Sequence, residues 1–231
     1  METGEVVSRM DAAYVNASGD MALLGVTDRY LSAIYRILAN GRSLRWATGS
    51  RAGFEANYYL LASSTLRPAP GASYFLAGTP AGLFKKSGST VSPIIIPGML
   101  SPRGDIFTSV TTASSNANGD VVIVANSMDL ARLTTATVLY RYVSNTLAEW
   151  VPFNQPVAVT GLGNQSISTA GLSSVGFNNS RQAAFAGTVT NRQSLLLAGT
   201  DIRVLLQAGG ASPTGGTFSS FTNIQLTPAG S

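Results

Sequence analysis

The sequence predicts an all-β fold, a β-propeller made of four-stranded antiparallel blades. Three observations predict it. Hydrophobic residues make up 45% of the 231 residues and are spread evenly along the chain. No segment sustains apolar residues at helical spacing. A turn rich in Asn and Gly recurs at intervals of about fifty residues, a period typical of propeller blades. A β-solenoid and a β-sandwich remain alternatives, because both use short strands joined by similar turns.

The repeated turn is clearest in two segments, Asn16-Ala17-Ser18-Gly19-Asp20 and Asn116-Ala117-Asn118-Gly119-Asp120. Asn hydrogen-bonds nearby backbone in such turns, and Gly adopts positive φ. A third copy begins at Asn178 and has Arg181 in place of Gly, and two further copies keep the glycine at Gly71 and Gly230. The predicted turn-forming residues are Asn16, Gly19, Gly71, Asn116, Gly119, Asn178 and Gly230.

This spacing divides a single repeat domain into four complete repeats and a partial one. The predicted boundaries lie at about 1–50, 51–104, 105–164, 165–216 and 217–231. In the third repeat, β-branched runs predict strands at 107–115, 121–125, 137–143 and 148–152, joined by a loop at 126–136 in which 128–133 has room for one helical turn. The first strand is expected at 6–15, and 218–226 is expected to add one extra strand after the fourth repeat.

A second pattern keeps the same phase. Arg36, Lys85 and Arg141 occupy one position in three successive repeats, each within an apolar patch that follows the turn motif. These residues therefore predict a cationic arc suited to an anionic sugar or surface polymer. The alternative is that each is a solvated strand residue whose stem covers apolar surface.

Several functions lack the residues that they need. The chain has no Cys and no His, which removes thiolate metal sites and the usual general base and nucleophile pairs. The basic residues are scattered, so we expect no nucleic-acid partner. No apolar run is long enough to span a bilayer. We also expect no cofactor and no metal, because Asn16 with Asp20, or Asn116 with Asp120, offers fewer oxygens than Ca²⁺ requires and fits a turn cap.

An enzyme without histidine stays an alternative, because two carboxylates alone can hydrolyse glycosides. Asp11, Glu55 and Asp105 lie near the predicted starts of first strands. Trp46 and Trp150, in fourth strands, are interpreted as packing residues. The tripeptide Arg103-Gly104-Asp105 is interpreted as a turn between repeats.

The repeated motif resembles that of bacterial tandem-repeat proteins with the pattern N-x-x-G-x-x-x-F. The first and third repeats match it with Leu23 and Ile123 in the Phe position; the second has Pro68 for Asn and the fourth has Arg181 for Gly. The resemblance implies a propeller-like architecture in a secreted or cell-surface protein, and it implies no established activity.

The sequence thus favours a non-catalytic binding module of a secreted or cell-surface protein. Its ligand is a protein or a glycan that the sequence does not identify. A building block of a filament, coat or surface array is the second hypothesis, motivated by the incomplete last repeat, through which copies are able to associate. A carbohydrate-active hydrolase or lyase is the third.

Overall fold

The computed structural model describes residues 6–15, 21–27, 32–37, 40, 43–48, 67–68, 74–77, 82–87, 90–170, 172, 174–222 and 224–227. Every regular element in this part of the chain is a β-strand, so the predicted all-β class is confirmed. No helix that could cross a membrane occurs among these residues. The chain divides into two compact units, 1–97 and 98–231.

The first unit contains two antiparallel sheets of four strands, each a meander in chain order. The first sheet consists of β1 (Val7–Val15), β2 (Met21–Thr27), β3 (Ser32–Ile37) and β4 (Ser43–Thr48). The second sheet consists of β5 (Arg67–Pro68), β6 (Tyr74–Ala77), β7 (Gly82–Ser87) and β8 (Thr90–Ile95).

The second unit contains two more sheets with the same strand order, separated by a hairpin. The third sheet consists of β9 (Ile106–Ser115), β10 (Val121–Asp129), β11 (Thr134–Val143) and β12 (Thr146–Pro152). The hairpin consists of β13 (Pro156–Val159) and β14 (Gly163–Ser166). The fourth sheet consists of β15 (Val175–Phe177), β16 (Ala183–Val189), β17 (Arg192–Ala198) and β18 (Ile202–Gln207).

The four sheets share one pairing register. We call Gly19, Gly71, Gly119 and Arg181 the turn positions. In every sheet the third residue after the turn position pairs with the same place on the third strand: Ala22 with Arg36, Tyr74 with Lys85, Val122 with Arg141, and Ala184 with Leu197.

A β-bulge also recurs at one place, the fourth strand, where one extra residue interrupts the pairing with the third strand. We call this the bulge position, and it is occupied by Trp46, Ile94, Trp150 and Leu205. The first and third sheets share two further bulges in the first strand, one at Ser8 and Thr108 and one at Asp11 and Thr111. The sheets therefore match in backbone detail as well as in strand order.

The core of the second unit lies between the third and fourth sheets. Its fully buried members include Val122, Leu139 and Val151 from the third sheet and Phe185 and Leu196 from the fourth. The rings of Phe153 and Phe185 meet edge to face at 5.7 Å, a favourable aromatic arrangement. The strand β10 is buried on both faces over 121–125, as predicted from its β-branched run.

Two predictions about the second unit are wrong. The predicted loop at 126–136, with room for a helical turn at 128–133, is too long: 126–129 belong to β10 and 134–136 to β11, and only 130–133 form the turn between them. Side-chain bonds of Asn126 to Ser109 and Thr137 keep the polar stretch in the sheet. The predicted strand at 218–226 does not form among its described residues. This segment crosses a face of the fourth sheet, where Phe221 N–H donates to Gln193 Oε1 (3.2 Å).

Candidate functional site

The three predicted binding residues occupy equivalent backbone positions. Arg36 pairs with Leu44, Lys85 with Ser92 and Arg141 with Ala148 on the fourth strand of each sheet. We call this cross-strand line the cationic row. Their common register is set by strand pairing, because each lies opposite the third residue after a turn position.

Arg141 is the member of the cationic row whose surroundings are best defined. Its side chain is exposed on β11, and the guanidinium carbon lies 5.8 Å from the ring centroid of Trp150. Trp150 is half-buried, and its ring meets Phe177 of the fourth sheet edge to face at 6.4 Å. The cation–π contact and the packed indole fix the guanidinium at the surface, where its N–H groups can reach a ligand.

The rest of the predicted arc is less defined. Lys85 is half-buried and makes polar or electrostatic contacts of its own. The Arg36 side chain lies outside the described residues. Since Arg36 and Lys85 belong to the first unit and Arg141 to the second, an arc that joins all three stays a prediction.

The fourth sheet places its cation one strand further out. Leu197 takes the third-strand position of the cationic row, and it pairs with the exposed Arg203 on β18. Sequence comparison of third strands alone missed Arg203, because the residue moves to the neighbouring strand while staying in the same row. Alignment of the fourth strands by their bulge position finds it.

The repeated turn has one geometry in the third and fourth sheets. Asn116 Oδ1 accepts hydrogen bonds from Asp120 N–H (2.9 Å) and Asn118 N–H (3.0 Å). Asn178 Oδ1 likewise accepts one from Gln182 N–H (2.8 Å). The turn positions carry φ of 80° at Gly119 and 59° at Arg181, so Arg181 adopts the left-handed backbone that glycine supplies elsewhere. The other predicted turn residues, Asn16, Gly19, Gly71 and Gly230, lie outside the described residues.

These two turns also contact each other. Asn116 Nδ2 donates to the carbonyl of Asn178 (3.1 Å), and Asn118 Nδ2 donates to that of Asn179 (3.2 Å). The side chain of Asn179 in turn accepts from Ala117 N–H (2.9 Å). Each turn therefore holds the backbone of the other.

The Asp120 carboxylate is already paired with a cation at this contact. Arg181 Nε donates to Asp120 Oδ2 (2.9 Å), and Asn116 Nδ2 lies 3.4 Å from the same oxygen. A guanidinium thus stands where a calcium ion would need oxygen ligands. No group of three or more acidic side chains that could hold a metal occurs in the described ranges.

The candidate catalytic carboxylates do not form a described pair. Asp11 is the bulged residue of β1, and Glu55 lies outside the described residues. Asp105 accepts from the buried Ser127 Oγ (3.2 Å) and lies 3.6 Å from Arg103 Nε. Arg103 also contacts Glu149 (3.5 Å), so one cation pairs with both carboxylates.

The Arg103-Gly104-Asp105 tripeptide forms a turn, as predicted. Gly104 N–H donates to the Ser101 carbonyl (2.9 Å), Ser101 N–H donates to the Asp105 carbonyl (2.7 Å), and Gly104 has φ of 86°. The ion pairs of Arg103 with Asp105 and Glu149 hold its side chain on the protein.

A buried hydroxyl lies beside this turn. Tyr140 is fully buried against Phe107, and its hydroxyl lies near Ser127 and Ser101 without meeting hydrogen-bond geometry to any described residue. Burial raises the pKa of the Tyr140 hydroxyl above 10.0, the two serine hydroxyls lower it, and the Glu149 charge raises it. Sequence reasoning did not identify this group, because its burial depends on sheet packing.

No family model and no curated protein matches the chain. Among solved structures, puromycin hydrolase is similar over 91% of this chain, with 11% identity and a TM-score of 0.44; a mutant of that enzyme complexed with PGG gives 10% and 0.44. The chain spans about a third of the length of those proteins, 33%. Likeness at this level carries no argument about fold or activity.

Proposed function

We propose that this protein is a non-catalytic, propeller-type binding module that holds an anionic polymer, such as an acidic glycan, through the cationic row. The observation that carries the proposal is Arg141, which is exposed above Trp150 at the position that Arg36 and Lys85 share in two other sheets. Repetition of a cation on equivalent strands suits a ligand that itself repeats a negative charge. A secreted or cell-surface setting goes with this function and with the resemblance of the motif.

The packing of the second unit supports blades stacked around an axis. The third sheet contributes Val122 to the core, three residues after its turn position, whereas the fourth contributes Ala183 and Phe185, two and four residues after its own. Because side chains alternate along a strand, the two sheets meet through opposite faces. Like sheets that meet front to back in this way form a propeller when the stacking is repeated.

The residues also support binding over catalysis. The chain has no histidine, and the Asp105 carboxylate is paired with Arg103 and Ser127. A general acid or base must reach the substrate. Hydrolysis of a glycoside also requires two carboxylates with space between them for the scissile bond. Binding of an anion by the exposed Arg141 beside the packed indole of Trp150 requires no carboxylate pair.

A binding measurement with polygalacturonate as the anionic probe and dextran as the neutral one tests the proposal. Arg141→Gln should weaken polygalacturonate binding at low salt about two- to fivefold, the contribution of an exposed ion pair. Arg36→Gln, Lys85→Gln and Arg141→Gln together should weaken it about 10- to 100-fold. Arg192→Gln, at an exposed arginine outside the row, is the matched control and should leave affinity unchanged.

If Arg192→Gln weakened polygalacturonate binding as much as Arg141→Gln, net charge alone would explain the effect. That result would contradict a specific role of the cationic row. Equal binding of dextran, or no binding of polygalacturonate at low salt, would also contradict the proposal. Added salt should weaken binding by the wild-type protein, since exposed charges are screened.

A further inference from the structure

The turn of the third sheet contains a pair of residues that is chemically reactive in proteins. Asparagine is thermolabile, and Asn118 is followed by Gly119, which has no side chain to shield its backbone nitrogen. A Cβ placed at Gly119 would meet nothing within 4 Å, so the space on this side of the glycine is open. Asn118 itself is exposed. Water therefore has access to the side chain and to the peptide bond that follows it.

The reaction of such a pair needs no enzyme. The backbone nitrogen of Gly119 attacks the side-chain carbonyl carbon of Asn118 and a new C–N bond forms. The bond from that carbon to Nδ2 breaks, and Nδ2 leaves as ammonia with the proton that the Gly119 nitrogen gives up. Water then opens the cyclic imide. Opening at the side-chain carbonyl leaves aspartate at position 118, and opening at the backbone carbonyl leaves isoaspartate, in which the chain continues through Cβ.

The contact with the fourth sheet holds the two reacting groups apart. Asn118 Nδ2 donates to the Asn179 carbonyl (3.2 Å). Gly119 N–H donates to the Asn116 carbonyl (3.2 Å). The side chain of Asn179 also fixes the turn, because it accepts from Ala117 N–H (2.9 Å). Attack requires the first two bonds to break, and each bond of this kind slows the reaction about two- to tenfold. The contact therefore slows the reaction without preventing it.

The product cannot restore this contact. A carboxylate accepts hydrogen bonds and donates none, so both products lose the bond from position 118 to the Asn179 carbonyl. The new negative charge also lies two residues from Asp120, which already carries one. Isoaspartate in addition lengthens the backbone before Gly119 by one carbon, which displaces the N–H that donates to Asn116.

We propose that Asn118 is a site of spontaneous deamidation, that the contact with the turn of the fourth sheet sets its rate, and that the product loosens this contact. Because ammonia is released, the loosened form accumulates with the age of the protein. The sequence has a second such pair, Asn40-Gly41, but Gly41 lies outside the described residues.

Incubation of the purified chain at physiological temperature and mildly alkaline pH, followed by peptide mapping with mass spectrometry, tests the proposal. Asn118 should convert to aspartate and isoaspartate. Asn145 and Asn191 are controls in the same sample: both are exposed in turns with positive φ, but residues with side chains follow them. Both should keep their amides. An Asn118 that keeps its amide, or converts no faster than Asn145, overturns the proposal.

A variant on the opposite side of the contact tests whether the contact sets the rate. Asn179→Ala removes the acceptor of Ala117 N–H and should speed the conversion of Asn118 about two- to tenfold, the effect of one hydrogen bond. Asn164→Ala, at an exposed asparagine of the β13–β14 hairpin, is the matched control and should leave the rate unchanged. Thermal unfolding should confirm that both variants fold. Equal rates in Asn179→Ala and the wild type would overturn the proposal.

The effect of the product is measured with Asn118→Asp, which carries one product from the start. Hydrogen exchange of Ala117 N–H, followed by NMR, should be about two- to tenfold faster than in the fresh wild type, because the contact with Asn179 is loosened. Asn118→Gln keeps an amide donor and should exchange more slowly than Asn118→Asp. It should also keep its amide during incubation, since attack on the longer side chain requires a larger ring. Wild-type exchange in Asn118→Asp would overturn the proposal.

Discussion

The third and fourth sheets have the same strand order, turn geometry and bulge, yet their surroundings differ. In the third sheet the residue after the bulge position, Val151, is completely buried; in the fourth, Leu206 is open to solvent. The third sheet has Tyr140 where the fourth has Leu196, and Ser114 where the fourth has Gly176. Register therefore determines the face on which a side chain lies. The neighbouring sheet determines whether that side chain is buried and contributes to the free energy of folding.

The largest expected effect lies in the core that the two sheets share. Phe185→Ala should lower the free energy of unfolding of the second unit by about 3–5 kcal/mol, because it opens a cavity beside Phe153. Leu205→Ala, on the open outer strand, should cost about 1 kcal/mol or less. Urea unfolding followed by Trp150 fluorescence in a Trp46→Phe background measures the difference. Similar losses for both variants would show that the outer strand is covered in solution.

The next effect exchanges a residue between the sheets. Gly176→Ser introduces the side chain that Ser114 carries in the third sheet. A Cβ at 176 would lie 2.7 Å from Leu226 N, so we expect a loss of about 1–3 kcal/mol or displacement of the segment 221–226. Gly199→Ser is the control, since its Cβ would meet nothing closer than Gln182 Cγ at 3.5 Å. Urea unfolding and the rate of proteolysis after residue 218 measure both outcomes; an unchanged Gly176→Ser protein would contradict the described path of the segment.

The smallest effect concerns Tyr140, whose position in the fourth sheet is apolar. Tyr140→Phe should raise the free energy of unfolding by about 1 kcal/mol, because it removes a buried hydroxyl that lies near Ser127 and Ser101 but meets hydrogen-bond geometry with no described residue. Tyr142→Phe is the control. Its hydroxyl donates to Asn145 Oδ1 (3.1 Å), and removal of this exposed hydrogen bond should lower the free energy of unfolding by about 0.5 kcal/mol. Destabilisation by Tyr140→Phe would show that the hydroxyl has a partner in solution.

Tyr140 also predicts a pH dependence. Its pKa is raised in the folded state above the ordinary value of 10.0, so the unfolded chain loses its proton first as pH rises. Folding stability from this group is therefore complete below pH 10.0 and falls as pH rises from there through the folded pKa. Unfolding experiments at alkaline pH should show this loss in the wild type and a smaller loss in Tyr140→Phe.

Strand positions could be predicted from the sequence where local chemistry determines them. The turn at 116–120 and the run at 121–125 carry Asn, Gly and β-branched residues whose preferences agree with their structure. The extension of β10 through Asn126 and Ser127 could not be predicted in this way. Their polar side chains are stabilised by Ser109, Thr137 and Asp105, which lie far away in the sequence.

The candidate site divides in the same way. The sequence pattern predicted the equivalent positions of Arg36, Lys85 and Arg141, because each lies in the apolar patch that follows a turn motif. The contact of Arg141 with Trp150 could not be predicted, since it depends on a bulge that shifts the fourth strand by one residue. Arg203 was missed for the related reason that its row continues onto another strand.

The contact between the turns of the third and fourth sheets links the identity of one repeat to that of the next. Arginine in a left-handed turn is strained, and here Asp120, from the preceding repeat, binds it. Asp120 follows its turn position by one residue, and in the repeat that precedes Gly119 the same place holds Ala72, which has no carboxylate. Arg181 at the turn position of the fourth repeat is therefore matched to Asp120 of the third repeat. Exchanging the order of these two repeats would remove the ion pair.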